Sequence, residues 1–510
     1  MISGDWLAKR AQLSPDKVAL VDTLHDGRLI TYHDWNAAAN RTAHFLAAHG
    51  VRRGDRVAVL AMNCVEYLDL WFACGKLGAI LQPLNWRLTP YELVALVDDA
   101  TPLVLLYGAD FVATVEALQV TESSVRHWIA LDGAGQARAV DGVFADRSAQ
   151  PSSAPPPVAV AADDPWLICY TGGTTGTPKG AVLTHGSICW NAINTVMSWG
   201  LTPDDRTILN SPLFHTGGLN VFTAPLVQIG GTSIVCRGFD PAQVFDLIEG
   251  AGVTIWFGVP TMFQALQGHP RWPTADFSAL KLLISGGAPC PQPVFEAFWA
   301  RGIDFKTGYG LTEAGPNNFW LPGAQVRHKP GAVGYPLFHI AARVVGPDGR
   351  ECGIGEVGEL LLRGPHVCAG YWGRPEDTAT TIRDGWLYTG DLACRDADGA
   401  YTIAGRIKDL IISGGENIYP AEVESVLAGH PAVAAVAVIG VPDPVWGEVG
   451  RAVIVPHAGA TVTPDALISF GQERLARYKV PKRIVFAPTL PLTGAGKVDK
   501  VRLRADYGEN

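Results

Sequence analysis

The stretch Trp166-Leu167-Ile168-Cys169-Tyr170-Thr171-Gly172-Gly173-Thr174-Thr175-Gly176-Thr177-Pro178-Lys179-Gly180 decides how the rest of the chain reads. Its first five residues are an apolar run, which predicts a strand ending at a loop. The loop holds four glycines, four threonine hydroxyls and one lysine. Glycines let backbone N–H groups approach an anion closely and turn with positive φ. Hydroxyls donate to phosphate oxygens, and Lys179 supplies a point charge. That is the chemistry of a polyphosphate cradle; the bland alternative is a plain turn. The kinase-type phosphate loop needs Gly-Lys-Ser/Thr after four spacer residues. Here Pro178 precedes the lysine and Gly180 follows it, so that type is excluded.

The same strand-to-glycine design recurs downstream. Leu282-Leu283-Ile284-Ser285 runs into Gly286-Gly287-Ala288-Pro289, and Thr307-Gly308-Tyr309-Gly310-Leu311-Thr312-Glu313 repeats it. Ligands in open α/β sheets bind outside the carboxyl ends of strands, where such loops gather. Phe214-His215 sits between these segments, and alone it reads as a packed, hydrogen-bonded histidine. Two decoys fall away. Gly353-Ile354-Gly355-Glu356-Val357-Gly358 fits a lone dinucleotide pattern, but a strand follows it where a helix is required. Asp396-Ala397-Asp398-Gly399 hints at a calcium loop, but the spacing fails and a hairpin turn is predicted.

At 510 residues the chain is too long for a single core. Hydrophobic residues make up 48% and charged ones 17%, the balance of a globular protein with large buried sheets. A net charge of −9 argues against a nucleic-acid partner. Nine cysteines without Cys-x-x-Cys spacing predict free thiols in a reducing compartment. No secretory leader is indicated at residues 1–21, and Asp69 and Lys76 break the longest apolar stretch, so no integral membrane segment is expected. A cytoplasmic location follows as the expectation.

Before the loop, helices are predicted over residues 34–49 and 66–77 and strands over 56–60 and up to Pro83. Thr89 caps a helix whose first position is Pro90. This region reads as scaffold. Residues 150–157 form a Pro/Ser-rich connector. Residues 409–510 read as a compact α+β module, with helices at 420–427 and 465–477 and strands at 433–441 and 452–455. The fold class is therefore α/β: a large N-terminal domain of several α/β subdomains, residues 1–407, then a small α+β domain, residues 408–510.

The glycine loop resembles the phosphate loop of the adenylate-forming enzymes, which include acyl-CoA synthetases, luciferases and peptide-synthetase adenylation domains. Matching segments run from about residue 30 to 500. Gly172 departs from the family, which often has Ser or Thr there. The resemblance implies ATP, magnesium and coenzyme A. It places Thr171, Gly172, Gly173, Thr174, Thr175, Gly176 and Lys179 on the phosphates. It places adenine against Gly286, Gly287, Ala288, Pro289 and Tyr309, counts Gly308 and Gly310 among the cofactor-binding residues, and puts Thr312 on the phosphates and Glu313 and Thr171 on magnesium. Asp391 would take the ribose hydroxyls, and Arg406 the ribose or the phosphate. Phe214, His215, Gly218, Val259, Gly287 and Gly310 would line the acyl pocket, which is read as running between His215 and Phe319. Lys408 matches the hinge of a mobile C-terminal domain, and Gly414, Gly415 and Glu416 match a loop near the pantetheine tunnel. Lys497 matches the catalytic lysine, acting with His215 and Glu313.

The implied activity is an acyl-CoA synthetase for a fatty or aryl acid, releasing AMP and pyrophosphate. The alternative is a stand-alone ligase that loads a carrier protein. No Arg or Lys stands in the segments assigned to the acyl pocket, which disfavours a diacid. A homodimer is left open.

Overall fold

Apolar strands alternating with amphipathic helices build two parallel sheets in the first three hundred residues. The computed structural model describes residues 5–121, 124–131, 142–171, 178–493 and 497–508. In the first sheet Gly142–Val143, His127–Ala130, Val104–Tyr107, Arg56–Leu60, Ile80–Pro83 and Pro165–Thr171 run parallel in that order. Lys179–Thr184 then turns back antiparallel, with Thr171 opposite Lys179. The quoted stretch is thus a hairpin at a sheet edge. Its tip, residues 172–177, lies outside the described residues, as do residues 494–496.

The second sheet has the order Phe305–Thr307, Leu282–Ser285, Ile255–Gly258, Arg206–Leu209, Thr232–Val235, Val18–Asp22 and Arg28–Thr31. All its pairs are parallel except the last. Val104–Tyr107 and Leu282–Ser285 are buried at every position, as strands covered by helices on both faces must be. The expected strand Arg56–Leu60 is found, and the helices run Tyr32–Ala48 and Val65–Leu77. Pro90–Ala100 opens with the Thr89–Glu92 capping box and Pro at its first turn.

Indole rings fill the core around the first sheet. Trp71 stacks on Trp166 with centroids 5.2 Å apart, and Trp6 meets Trp166 edge-on at 5.4 Å. A Cβ added at Gly75 would lie 2.8 Å from the Trp166 ring, so helix Val65–Leu77 has room for nothing larger there.

The third sheet is antiparallel throughout: Phe319–Trp320, Ala332–Pro336, Tyr401–Arg406, Trp386–Arg395, Gly358–Arg363 and Ala341–Val345. Gly358–Arg363 is a strand, which disposes of the dinucleotide reading. Residues 396–400 form the tight hairpin turn between Trp386–Arg395 and Tyr401–Arg406, and Lys329 pairs with both Asp396 and Asp398.

All strands of the fourth sheet come from the end of the chain: Glu416–Ile418, Ile411–Ser413, Gly447–Pro456, Val433–Asp443 and the parallel Arg483–Phe486. Pro420–Ala428 covers it. The second helix of this module departs from expectation. It runs Pro464–Gln472, not to residue 477. The chain must turn so that Val480 can pack on Gly471, 3.5 Å from its built Cβ, and Lys482 N–H can reach the Gly450 carbonyl at 3.0 Å. Among the described residues no helix is long and apolar enough to cross a membrane, and all nine cysteines are free.

Candidate active site

Loops at the carboxyl ends of the two parallel sheets, together with the third sheet, bring the charged groups together. Gly308 follows Phe305–Thr307 and donates to the Ser285 carbonyl at 2.7 Å, tying two glycine loops side by side. A Cβ on Gly308 would lie 2.7 Å from Ile284, so only glycine permits this approach. Tyr309 then donates its phenol to Asp391 Oδ2 at 2.6 Å. Arg406, opposite Asp391 in the hairpin register, approaches Oδ1 at 3.2 Å. Burial raises the Asp391 pKa, while Arg406, the Tyr309 hydrogen bond, Lys497 and Lys408 pull it down.

Glu313 sits in the single turn Thr312–Ala314, with Thr312 beside it. Its Oε1 accepts from Tyr371 OH at 2.8 Å. Thr171, across the phosphate hairpin, donates its hydroxyl to the Lys179 carbonyl at 3.4 Å. Lys179 pairs with Asp377 at 2.5 Å and lies over the Tyr371 ring. Gly172, Gly173, Thr174, Thr175 and Gly176 fall outside the described residues.

Magnesium takes few protein oxygens and keeps water and substrate phosphates for its other positions. No cluster of three or more metal-ligating side chains exists among the described residues. A lone Glu313 carboxylate with the Thr171 hydroxyl fits an ion carried in on a polyphosphate.

Phe214 and His215 lie where Arg206–Leu209 ends. The two rings are 4.4 Å apart, and His215 Nε2 is buried with no hydrogen-bond partner among the described residues. Burial, then the charges of Lys497 and Arg87, push its pKa down to about 3, so the imidazole is neutral. Lys497 belongs to a small hairpin in which its carbonyl accepts from Thr493 N–H at 2.7 Å. It is open to solvent, yet its Cε lies 3.8 Å from a Cβ built on Gly287. Crowding by protein and then Arg406 lower its pKa, and Asp391 and Glu313 act the other way. His215, Gly287, Glu313, Asp391 and Arg406 therefore gather around Lys497, though they are far apart along the chain.

Three residues read into the acyl pocket are closely packed. Gly218 and Gly310 are small for another reason: built Cβ atoms would lie 2.5 Å from the Pro212 carbonyl and 2.0 Å from the Pro316 carbonyl. Backbone crosses there, so both positions require glycine. Phe319 is a core residue packed on Tyr309 and Tyr401.

Gly217 and Val259 border the Phe257 ring and the Gly287 turn. A Cβ on Gly217 would meet the Phe257 ring at 3.4 Å, and Val259 lies 3.6 Å from the built Cβ of Gly287. Ala288 and Pro289 continue that loop at the surface.

The pocket region also holds a cation that the sequence reading put in scaffold. Arg87 stands over Trp86 at 4.5 Å and over Phe214 at 5.5 Å, and burial lowers its pKa. Trp86 meets Phe214 edge-on at 5.9 Å. No local signal separates this Trp-Arg pair from an ordinary helix approach.

Gly414, Gly415 and Glu416 form the turn of the hairpin between Ile411–Ser413 and Glu416–Ile418. Gly414 has φ +60° and lies against Trp446. The strand pairing of this turn lies within the small sheet, where Ser413 also pairs with Gly447. Lys408 is exposed in the turn Ile407–Asp409.

The chain matches the AMP-binding enzyme family over residues 7–372 and the AMP-binding enzyme C-terminal domain over residues 422–497, and it belongs to that family. It is 44% identical to a feruloyl-CoA synthase from Amycolatopsis sp, covering 99% of each chain. It is 38% identical to an indoleacetate–CoA ligase from Aromatoleum aromaticum, covering 98% of this chain and 97% of that one. Among solved structures, ATP-bound MatB from Rhodopseudomonas palustris superposes with a TM-score of 0.90 at 34% identity, over 100% of this chain and 99% of that one.

Proposed function

We propose that this chain activates a carboxylic acid bearing an aromatic ring, with Glu313 and Thr171 holding magnesium and Lys497 driving the first half-reaction. The chain is an AMP-forming carboxylic acid–CoA ligase that uses ATP and coenzyme A. In the first half-reaction a substrate carboxylate oxygen attacks the α-phosphorus and pyrophosphate leaves. In the second, the coenzyme A thiol attacks the acyl carbonyl and AMP leaves. No side-chain nucleophile is required, and burial holds the nearby Cys169 thiol up at about 12, the Glu313 charge adding to it.

The observation that carries the residue roles is the convergence on one cleft of Lys497, His215, Asp391 and Glu313. Catalysis there is positioning plus charge stabilisation. Tyr309 and Arg406 orient Asp391 toward the ribose hydroxyls. Neutral His215 offers a ring at the carboxylate end of the pocket without a charge that would trap the acid. The Lys497 ammonium sits between that end and the phosphates. Bound magnesium would neutralise charge on the polyphosphate.

The aromatic assignment rests on the walls. The Phe257 ring lies between Gly217 and Gly286, 2.9 Å from a Cβ built on the latter, and Trp86 stands edge-on to Phe214. The feruloyl and indoleacetate specificities named for the relatives agree with it. Pyrophosphate release measured across cinnamic, arylacetic, medium-chain and long-chain acids tests it. Equal or higher kcat/KM for the long-chain acids refutes the aromatic reading.

We place the domain boundary at 407/408 on a contact argument. Arg406 is bonded to Asp391 of the large part, and Asp409 to Arg504 of the small one at 2.9 Å, with Lys408 between them. A cytoplasmic location and a homodimer are further proposals, tested by fractionation and by sedimentation.

A further inference from the structure

Residues 368–372 run along the outer edge of the phosphate hairpin. Ala369 N–H donates to the Val182 carbonyl at 3.0 Å, Val182 N–H to Gly370 at 2.9 Å and Trp372 N–H to Gly180 at 2.8 Å. Ala181 and Tyr371 form an antiparallel bridge. The segment thus extends the first sheet by one short strand, although its own chain neighbours belong to the third. It is pinned on its far side. Trp372 packs with Ile80, Ala100, Ile168 and Tyr170, Arg374 pairs with Asp99 at 3.7 Å, and Thr378 Oγ1 accepts from Tyr371 N–H at 2.9 Å.

This strap holds Glu313 at two points. Cys368 N–H donates to the Glu313 carbonyl at 2.7 Å, and Tyr371 OH donates to Oε1 at 2.8 Å. Glu313 Oε2 accepts no hydrogen bond from a described residue. A free glutamate spreads over many rotamers, and one hydrogen bond on one oxygen selects among them. Losing a partner that orients a metal-binding side chain typically costs about 10- to 100-fold in metal affinity.

We propose that Tyr371 is a positioning residue for the adenylation half-reaction: its phenol fixes Glu313 Oε1 so that Oε2 is presented to the cation on the polyphosphate. Because Tyr371 is bridged to Ala181, the orientation of Glu313 is set by the same hairpin that carries Thr171 and Lys179. The inference rests on the proposed placement of magnesium at Glu313.

The test uses the full chain as Y371F, E313Q and the double variant. The readouts are Mn²⁺ binding with a non-hydrolysable ATP analogue, followed by electron paramagnetic resonance, and the Mg²⁺ half-saturation of pyrophosphate release. Y371F keeps the ring and every backbone bond of the strap, so its melting curve should match the wild type. Mn²⁺ affinity should fall about tenfold, with the KM for the acid unchanged. In the E313Q background the same substitution should add nothing, because the phenol then has no carboxylate to orient. Unchanged Mn²⁺ affinity in Y371F alongside a loss in E313Q overturns the inference and leaves the Glu313 reading standing. Equal Mn²⁺ affinity in all three variants and the wild type overturns both. If Y371F melts early, the double-variant comparison decides: a further tenfold loss beyond E313Q marks a structural role and overturns the inference.

Discussion

Replacing Lys497 by alanine separates the two half-reactions most sharply. The ammonium lies close enough to Arg406, Asp391, Glu313 and His215 to interact electrostatically with each. During adenylation negative charge grows on the carboxylate oxygen and on the α-phosphate. Two unit charges about 4 Å apart interact by about 4 kcal/mol at an effective dielectric near 20, and by about 1 kcal/mol in bulk water. Lys497 is open to solvent on one side, which places the loss below the upper figure. Removing one preorganised donor to a developing oxyanion slows catalysis by about 10²–10³, or roughly 3–4 kcal/mol. Pyrophosphate release by Lys497→Ala, measured with saturating acid and ATP, should fall by that factor. Thioester formation from preformed acyl-adenylate and coenzyme A should stay near the wild-type rate, since the second half-reaction has no pentavalent phosphorus to stabilise. Intact adenylation in the variant refutes the placement. So does a comparable loss in both half-reactions with an unchanged melting curve.

Lys408→Pro should leave adenylate formation measurable and suppress thioester formation, because proline fixes φ and removes an N–H where the Ile407–Asp409 turn joins the two parts; equal suppression of both steps argues against a hinge. Lys179→Ala should raise the KM for ATP by about tenfold and leave the ranking of acids unchanged, the loss of one charge-assisted contact being worth about 1.5–3 kcal/mol. A reordered acid panel would contradict its place on the phosphates. His185→Phe should lessen sensitivity to acid. His185 is buried, stacked on Trp166 with centroids 4.6 Å apart, and desolvation holds its pKa down to about 4. The unfolded state therefore binds the extra proton between about pH 6.5 and 4, so stability is lost as pH falls through that window and is untouched above it. At pH 5 the penalty from this one group is about 2 kcal/mol. Phenylalanine keeps the stack and removes the proton site, so its unfolding midpoint should drop less between pH 7.5 and 5.0; parallel slopes in both proteins would falsify this.

The sequence by itself determined the local elements and the chemical types at their ends. The capping box at Thr89, the strand Arg56–Leu60 and the strand that excludes the dinucleotide reading are set by propensity, capping and side-chain period, which act within a few residues. The glycine- and threonine-rich loops were legible for the same reason, since an anion site needs particular residue types close together in the chain.

What only the tertiary structure decided involves partners far apart. Trp86 and Arg87 read as the approach to a helix, yet packing of that helix lays them over Phe214. Helix Pro464–Gln472 stops early because the following strand must reach Gly450. Tyr371 meets Glu313 across 58 residues of chain. No periodicity or motif encodes such a meeting, because it depends on where two sheets place their edges, and that is fixed only when their buried faces pack.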